Sequence, residues 1–176
     1  MNVLGIVGGP NPTGNTGLLV KAVLEGAQSS GHVTTLFNLA ELDVGHLTAK
    51  DQKITYPKDD MEKLYAHIES MGALVIGSPI YFEAWDSRTI TFLNRLYVYS
   101  EARKGRFPKG AKVVNCITYG WDKIGAYDKI HDWVEGMEKY LGLIPAGRLS
   151  AEGTGSKQVS KRNDLLEEAR KIGSKL

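Results

Sequence analysis

Residues 8–17 read GGPNPTGNTG. An apolar run, Val3-Leu4-Gly5-Ile6-Val7, leads into them, and Leu18-Leu19-Val20 leads out. That pattern predicts a strand, a tight loop and a helix. A loop of glycine and hydroxyl residues at such a junction aims several backbone N–H groups at one point, where the helix dipole also favours an anion. The spacing from Gly9 to Thr16 follows G-x-x-x-x-G-K-[ST] except at one position. Asn15 stands where a triphosphate loop needs lysine to reach the outer phosphates. Gly5-Ile6-Val7-Gly8-Gly9 does not make the G-x-G-x-x-G of a dinucleotide site either. What remains is a site for one phosphate held by neutral donors, with an ordinary capped βα turn as the alternative.

Apolar strand-like runs alternate with helix-period segments along the rest of the chain. Leu19, Val20, Val23, Leu24 and Ala27 keep helical spacing up to Ser29-Ser30-Gly31, and the β-branched stretch 32–38 reads as a second strand. A helix over about 59–70, with Asp59 or Asp60 as its cap, precedes the short apolar run Ala73-Leu74-Val75-Ile76-Gly77, the mark of a parallel strand buried on both faces. Then follow a helix over about 86–101, a strand over 112–118, a helix marked by Ile130, Trp133, Val134, Met137 and Leu141, a strand over 143–149 and a last helix through Leu165 and Ile172. Five strands alternating with five helices predict an α/β doubly wound parallel sheet of order 2-1-3-4-5, in one domain over residues 1–176. Residues 40–57 form an unusually long connection, which such folds generally reserve for function or insertion.

Composition narrows the function classes. The chain has 176 residues, 42% hydrophobic and 24% charged, which suits one globular core. A net charge of +2 in scattered positions leaves no nucleic-acid footprint, and no apolar run reaches the roughly 20 residues of a membrane span. A strand begins at once, without a basic leader, so a cytoplasmic protein is expected. Cys116 is the single cysteine, so no internal disulfide can form. His46 and the group Asp128, His131 and Asp132 are scattered too widely along the chain to make a strong metal motif.

In open sheets of this kind ligands sit beyond the carboxyl ends of the strands, where the strand order reverses. Three loops meet there: residues 8–16, residues 78–86 (SPIYFEAWD) and residues 119–127 (YGWDKIGAY). The first offers phosphate donors; the second and third carry Tyr81, Phe82, Trp85, Tyr119 and Trp121. Together they suit a ligand with one phosphate at one end and a flat ring at the other.

GGPNPTGNT and GSPIYF also resemble the paired signatures G-S-P-R-x-x-G-N-T and G-S-P-x-Y-F of flavodoxin-like FMN proteins, a group that includes NAD(P)H-dependent FMN reductases and iron–sulfur flavoproteins. The resemblance runs from Met1 to about Arg95. It implies FMN as cofactor, with Gly9, Pro10, Asn11, Thr13, Asn15 and Thr16 around the phosphate and Pro79, Ile80, Tyr81 and Phe82 along the ribityl chain and ring. Tyr119, Gly120 and Trp121 occupy the third flavin loop by position only. Gly9 stands where the family usually has serine, Asn11 where it often has a basic residue, and Glu83 where glycine is frequent. The stretch LDVGHLTAKDQKITYPKDDM lacks the cysteines of the iron–sulfur members, so no cluster is expected.

The resulting expectation is an FMN oxidoreductase that accepts hydride from NAD(P)H and passes electrons to a quinone, flavin, metal or protein acceptor. No side-chain acid or base is assigned, because the flavin carries the chemistry. The alternative is a non-catalytic flavodoxin-like interaction protein with weak flavin binding or none. Neither nucleic acid nor membrane is expected as a partner. A homodimer or homotetramer is expected, with residues 40–57 helping to enclose the flavin of a neighbouring subunit.

Overall fold

The computed structural model describes residues 1–176. Its centre is a parallel sheet of β1 (Asn2–Val7), β2 (Val33–Asn38), β5 (Ala73–Tyr81), β7 (Lys112–Thr118) and β8 (Ile144–Ala151) in the spatial order β2-β1-β5-β7-β8. In these five parallel strands the order is the expected 2-1-3-4-5. Between them run α1 (Asn15–Ser29), α2 (Met61–Ser70), α3 (Ser87–Arg95) and α4 (Asp128–Leu141), and α5 (Asn163–Gly173) follows the last strand. None is long and apolar enough to cross a membrane.

The two-residue period of a strand divides the core into two layers. Leu4, Ile6, Leu74, Ile76, Val113 and Ile117 face α2, α3 and α4, where they pack with Met61, Leu64, Phe92 and Val134. Val3, Val7, Val75, Val114, Cys116 and Leu149 face α1 and α5, packing with Leu19, Val23, Leu165 and Ala169. Continuous apolar runs become central strands here because both faces are covered, and each such side chain contributes about 1.5–3 kcal/mol on full burial.

Three local differences from the sequence reading have physical causes. The helix expected over 86–101 stops at Arg95 and tightens into a 3-10 turn over Leu96–Ser100. Three residues per turn bring Leu96 and Tyr99 to one side, and both are buried there. The third strand does not end at Gly77. It runs on to Tyr81 and folds back as β6 (Ala84–Trp85), pairing Ile80 with Trp85 and Tyr81 with Ala84. The long connection contains its own antiparallel hairpin, β3 (Thr48–Lys50) with β4 (Lys53–Thr55).

Arg95 fixes both ends of that connection. Its buried guanidinium donates to the Gly45 carbonyl (2.9 Å), the Pro57 carbonyl (3.1 Å) and both carboxylate oxygens of Asp59. Asp59 in turn accepts the amides of Gly45 (2.8 Å) and Met61 (3.0 Å). Of the two candidate caps for α2, it is therefore Asp59 whose side chain takes a first-turn amide, while Asp60 makes no capping bond.

Candidate functional site

The strand order reverses between β1 and β5, and the loops that leave their carboxyl ends build one cavity. After β1 the chain must turn sharply into α1. Gly17 permits it: a Cβ there would lie 2.4 Å from the Pro12 carbonyl oxygen. The Gly8 amide donates to the Gly77 carbonyl (2.8 Å), tying the loop to β5. Asn11 Oδ1 accepts the Thr13 amide (3.0 Å) and the Thr13 hydroxyl (3.1 Å), so these two side chains shape the loop itself. Helix α1 then starts with no side-chain cap. Its first-turn amides have no intrahelical acceptor and point, with the positive end of the dipole, at the cavity.

Thr16 Oγ1 lies 2.7 Å from Thr118 Oγ1 at the end of β7, and both residues are buried. Two paired hydroxyls consume one hydrogen between them and leave the other free to donate. Asn15 is used differently. Its Nδ2 donates to the Thr154 carbonyl (3.4 Å) and its Oδ1 accepts the Val159 amide (2.8 Å).

The second loop is the β5–β6 hairpin. Phe82 and Glu83 make its two-residue turn with φ of +47° and +62°, a region that suits glycine or asparagine, and the Phe82 ring is fully exposed. The turn is held from below by the Asp86 amide, which donates to the Pro79 carbonyl (3.1 Å) and to Ser78 Oγ (2.9 Å). In the third loop Tyr119 is buried, with its hydroxyl donating to the Lys123 carbonyl (3.1 Å). Its ring meets Tyr127 edge-on at 4.8 Å; Trp121 also stands edge-on to Tyr127 at 6.4 Å, with Lys123 over its face. The Tyr127 hydroxyl donates to Glu83 Oε1 (2.9 Å), and this bond to a carboxylate holds the phenol above its ordinary pKa.

The cavity between these loops measures about 210 Å³. Gly9, Pro10, Asn11, Asn15 and Thr16 line one end, and Pro79, Ile80, Tyr81, Tyr119 and Gly120 the other. Thr13, Phe82 and Trp121 stand outside that lining: Thr13 is turned onto Asn11, and the two rings are exposed at the rim. Gly14, Thr118 and Thr154 join the lining without having been read from the sequence. Thr118 could have been found, since it pairs with Pro79 at the carboxyl edge of the sheet. Thr154 could not, because it follows the last strand.

No lysine or arginine lines the cavity. Arg88 lies beside Asp86 (3.7 Å) and borders a separate hollow with His46 and Thr91. His46 Nδ1 pairs with Thr91 Oγ1 (3.0 Å), His131 Nε2 with Ser150 Oγ (3.1 Å), and Asp132 with Arg148 (2.8 Å). Cys116 is fully buried in mid-strand, and burial pushes its thiol pKa up.

Residues 1–152 match the family of NADPH-dependent FMN reductases. The chain belongs to that family. Membership places it among FMN-binding oxidoreductases of the flavodoxin-like fold. It is 24% identical over 184 residues to an iron–sulfur flavoprotein of Archaeoglobus fulgidus, covering 100% of this chain and 79% of that one. Among solved structures, an NAD(P)H:quinone oxidoreductase from Methanothermobacter marburgensis superposes with a TM-score of 0.75 at 17% identity, covering 99% of this chain and 94% of the other. A flavone reductase superposes at 0.76 and 16% identity over 99% of this chain, which spans only 61% of that longer chain. At these identities the structural likenesses establish the fold alone.

The donor set fits this family's cofactor. An uncapped helix start and a hydroxyl pair suit one phosphate, and the absence of a cation disfavours a second or third. The cavity is smaller than the roughly 300–1,000 Å³ of a pocket that swallows a drug-sized ligand. Its size would suit a phosphate and its chain, with a flat ring lying across the aromatic rim.

Proposed function

We propose that this protein binds FMN at the carboxyl edge of its sheet, takes hydride from NAD(P)H and delivers electrons to a quinone, flavin, metal or protein acceptor. One observation carries the reading: a phosphate cradle built without charge opens directly onto an aromatic rim at the topological switch point. The first-turn amides of α1 and the Thr16–Thr118 hydroxyl pair would hold the phosphate. Pro79, Ile80 and Tyr81 would border the ribityl chain, with Phe82, Tyr119, Gly120 and Trp121 along the ring. Bound FMN supplies hydride acceptance and electron release; the protein orients it and leaves one ring face open to the donor. With one buried cysteine in the chain, we read the cofactor as FMN without an iron–sulfur cluster, working in the cytoplasm.

The open ring face also supports assembly as a homodimer or homotetramer. An apolar hollow between the β3–β4 hairpin and the two helices beside it is lined by Leu47, Ile54, Leu93, Tyr97, Met137 and Tyr140. Tyr97 and Tyr140 are exposed there, an aromatic surface typical of subunit contacts. Light scattering over a dilution series tests this, and a stable monomer contradicts it.

The functional test is anaerobic reduction of the FMN-loaded protein by NADH and NADPH, followed by reoxidation with a quinone. Bleaching of the flavin band by a nicotinamide and its recovery on adding quinone are expected. A flavin that neither nicotinamide reduces would contradict the oxidoreductase reading and favour a non-catalytic binding protein.

A further inference from the structure

We propose that the turn following β8, residues 153–157, forms a fourth wall of the phosphate end of this site. In this arrangement Thr154 supplies a ligand hydroxyl and Asn15 is the positioning residue that holds the turn in place. The inference rests on the FMN reading above and extends it beyond residue 152, where the family match ends.

Asn15 opens α1 in the middle of the phosphate loop, yet its side chain is spent on a segment about 140 positions away. One amide donates to the Thr154 carbonyl (3.4 Å) and accepts from the Val159 amide (2.8 Å) at the same time. Only a primary amide of this length offers a donor and an acceptor from one planar group; aspartate lacks the donor and leucine lacks both. The missing P-loop lysine therefore has a structural reason. A lysine would supply charge but could not accept the Val159 amide.

The same turn is fastened to the third flavin loop. The Gly153 amide donates to the Trp121 carbonyl (3.1 Å), the Thr154 amide donates to the Tyr119 carbonyl (3.0 Å), and Lys157 pairs with Asp122 (2.6 Å). Both main-chain groups of Thr154 are thus engaged, and the residue lines the cavity beside the start of α1. Its hydroxyl is the group it offers to a ligand there. First loop, third loop and turn become one assembly, with Asn15 as the joint.

Titrations of the apoprotein with FMN and with riboflavin, which lacks the phosphate, separate ligand from scaffold. Thr154→Val should weaken FMN by roughly 10-fold or more, as expected for a lost hydrogen bond to a charged group, and leave riboflavin unchanged. Asn15→Ala should weaken FMN at least as much and speed amide hydrogen exchange across residues 153–159 of the apoprotein. Adding Thr154→Val to Asn15→Ala should cost nothing further. Unchanged FMN affinity in Thr154→Val, or equal losses for FMN and riboflavin, would overturn its ligand role. Lost FMN affinity in Asn15→Ala with unchanged exchange would make Asn15 a direct ligand and overturn the joint. Thr154→Val removes no main-chain bond and serves alone should Asn15→Ala fail to fold. Wild-type protein that binds neither flavin would overturn the FMN reading and the role of Thr154 with it, whereas the exchange measurement judges Asn15 independently.

Discussion

Tyr127 donates its hydroxyl hydrogen to Glu83 across 2.9 Å, and this single bond joins the β5–β6 turn to the third loop of the site. Glu83 is held there at a φ of +62°, where a non-glycine residue costs about 1–2 kcal/mol. The molecule thus keeps a strained acidic residue where the related motif often has glycine. Glu83→Gly should raise the melting temperature of the apoprotein while speeding FMN dissociation, because strain and latch vanish together. Tyr127→Phe should speed dissociation without the gain in stability. Melting curves and stopped-flow fluorescence recovery read both effects. Wild-type dissociation rates in both variants would mean that the bond does not order the rim.

The Thr16–Thr118 pair makes a second prediction. One hydrogen closes the pair and the other is the single free donor, so each hydroxyl orients its partner and the two act on the phosphate as one unit. Thr16→Val and Thr118→Val should each weaken FMN by roughly 10- to 100-fold, the equivalent of about 1.5–3 kcal/mol, and the double variant should be little worse than either. Fully additive losses, read by fluorescence titration, would show two independent ligands instead.

The stability held by one buried carboxyl should be lost as pH rises from about 4.5 to 7, and Glu138 is that group. It is buried on α4, accepts a hydrogen bond from Asn115 Nδ2 (3.0 Å), and leaves its Oε1 and Asn115 Oδ1 without partners. Burial pushes its carboxyl pKa up to about 7 against the opposing Asn115 hydrogen bond, with Glu135 adding to the rise and Lys139 and Arg148 also opposing it. The folded protein therefore binds a proton that the unfolded chain has released above pH 4.5. The stability from this group, roughly 3 kcal/mol, is complete below pH 4.5 and lost as pH rises through about 7. His131, whose pKa burial lowers, acts in the opposite sense, but only below its ordinary value of 6.5. Between pH 6.5 and about 7.5, the upper end of that window, Glu138 should dominate. Melting temperature should decline over that range in the wild type and stay level in Glu138→Gln, which keeps the Asn115 contact; parallel curves would rule the mechanism out.

Arg95 gives the fourth prediction. Removing it leaves the Asp59 carboxylate buried without its partner and frees both ends of the 45–59 segment. Arg95→Met should cost about 3–5 kcal/mol in chemical denaturation and open the β3–β4 hairpin to amide exchange. Unchanged exchange in residues 48–55 would show that the hairpin is held by other contacts.

The architecture was legible because burial on both faces writes itself into runs such as residues 73–77, and because the glycine loop marks where β1 becomes α1. Those two signals locate the switch point, and with it most of the cavity. The rest depended on contacts between distant residues. Nothing in the local pattern of Asn15 says that its amide is committed to Thr154 and Val159, and nothing in Phe82-Glu83 suggests a turn, since the usual turn residues are absent. The β3–β4 hairpin is hidden for a similar reason: Asp51-Gln52 adopts positive φ without glycine. Asp59 reads as a cap, and nothing local links it to Arg95 until the fold brings the two together.

The cradle at the start of α1 should hold a single phosphate without any cation. Calorimetric titration of the apoprotein with FMN, riboflavin and FAD under one buffer condition tests it most directly. FMN should bind tightest, riboflavin at least about tenfold weaker for want of the phosphate contacts, and FAD weaker than FMN because the site has no charge for a second phosphate. Riboflavin binding as tightly as FMN would contradict it.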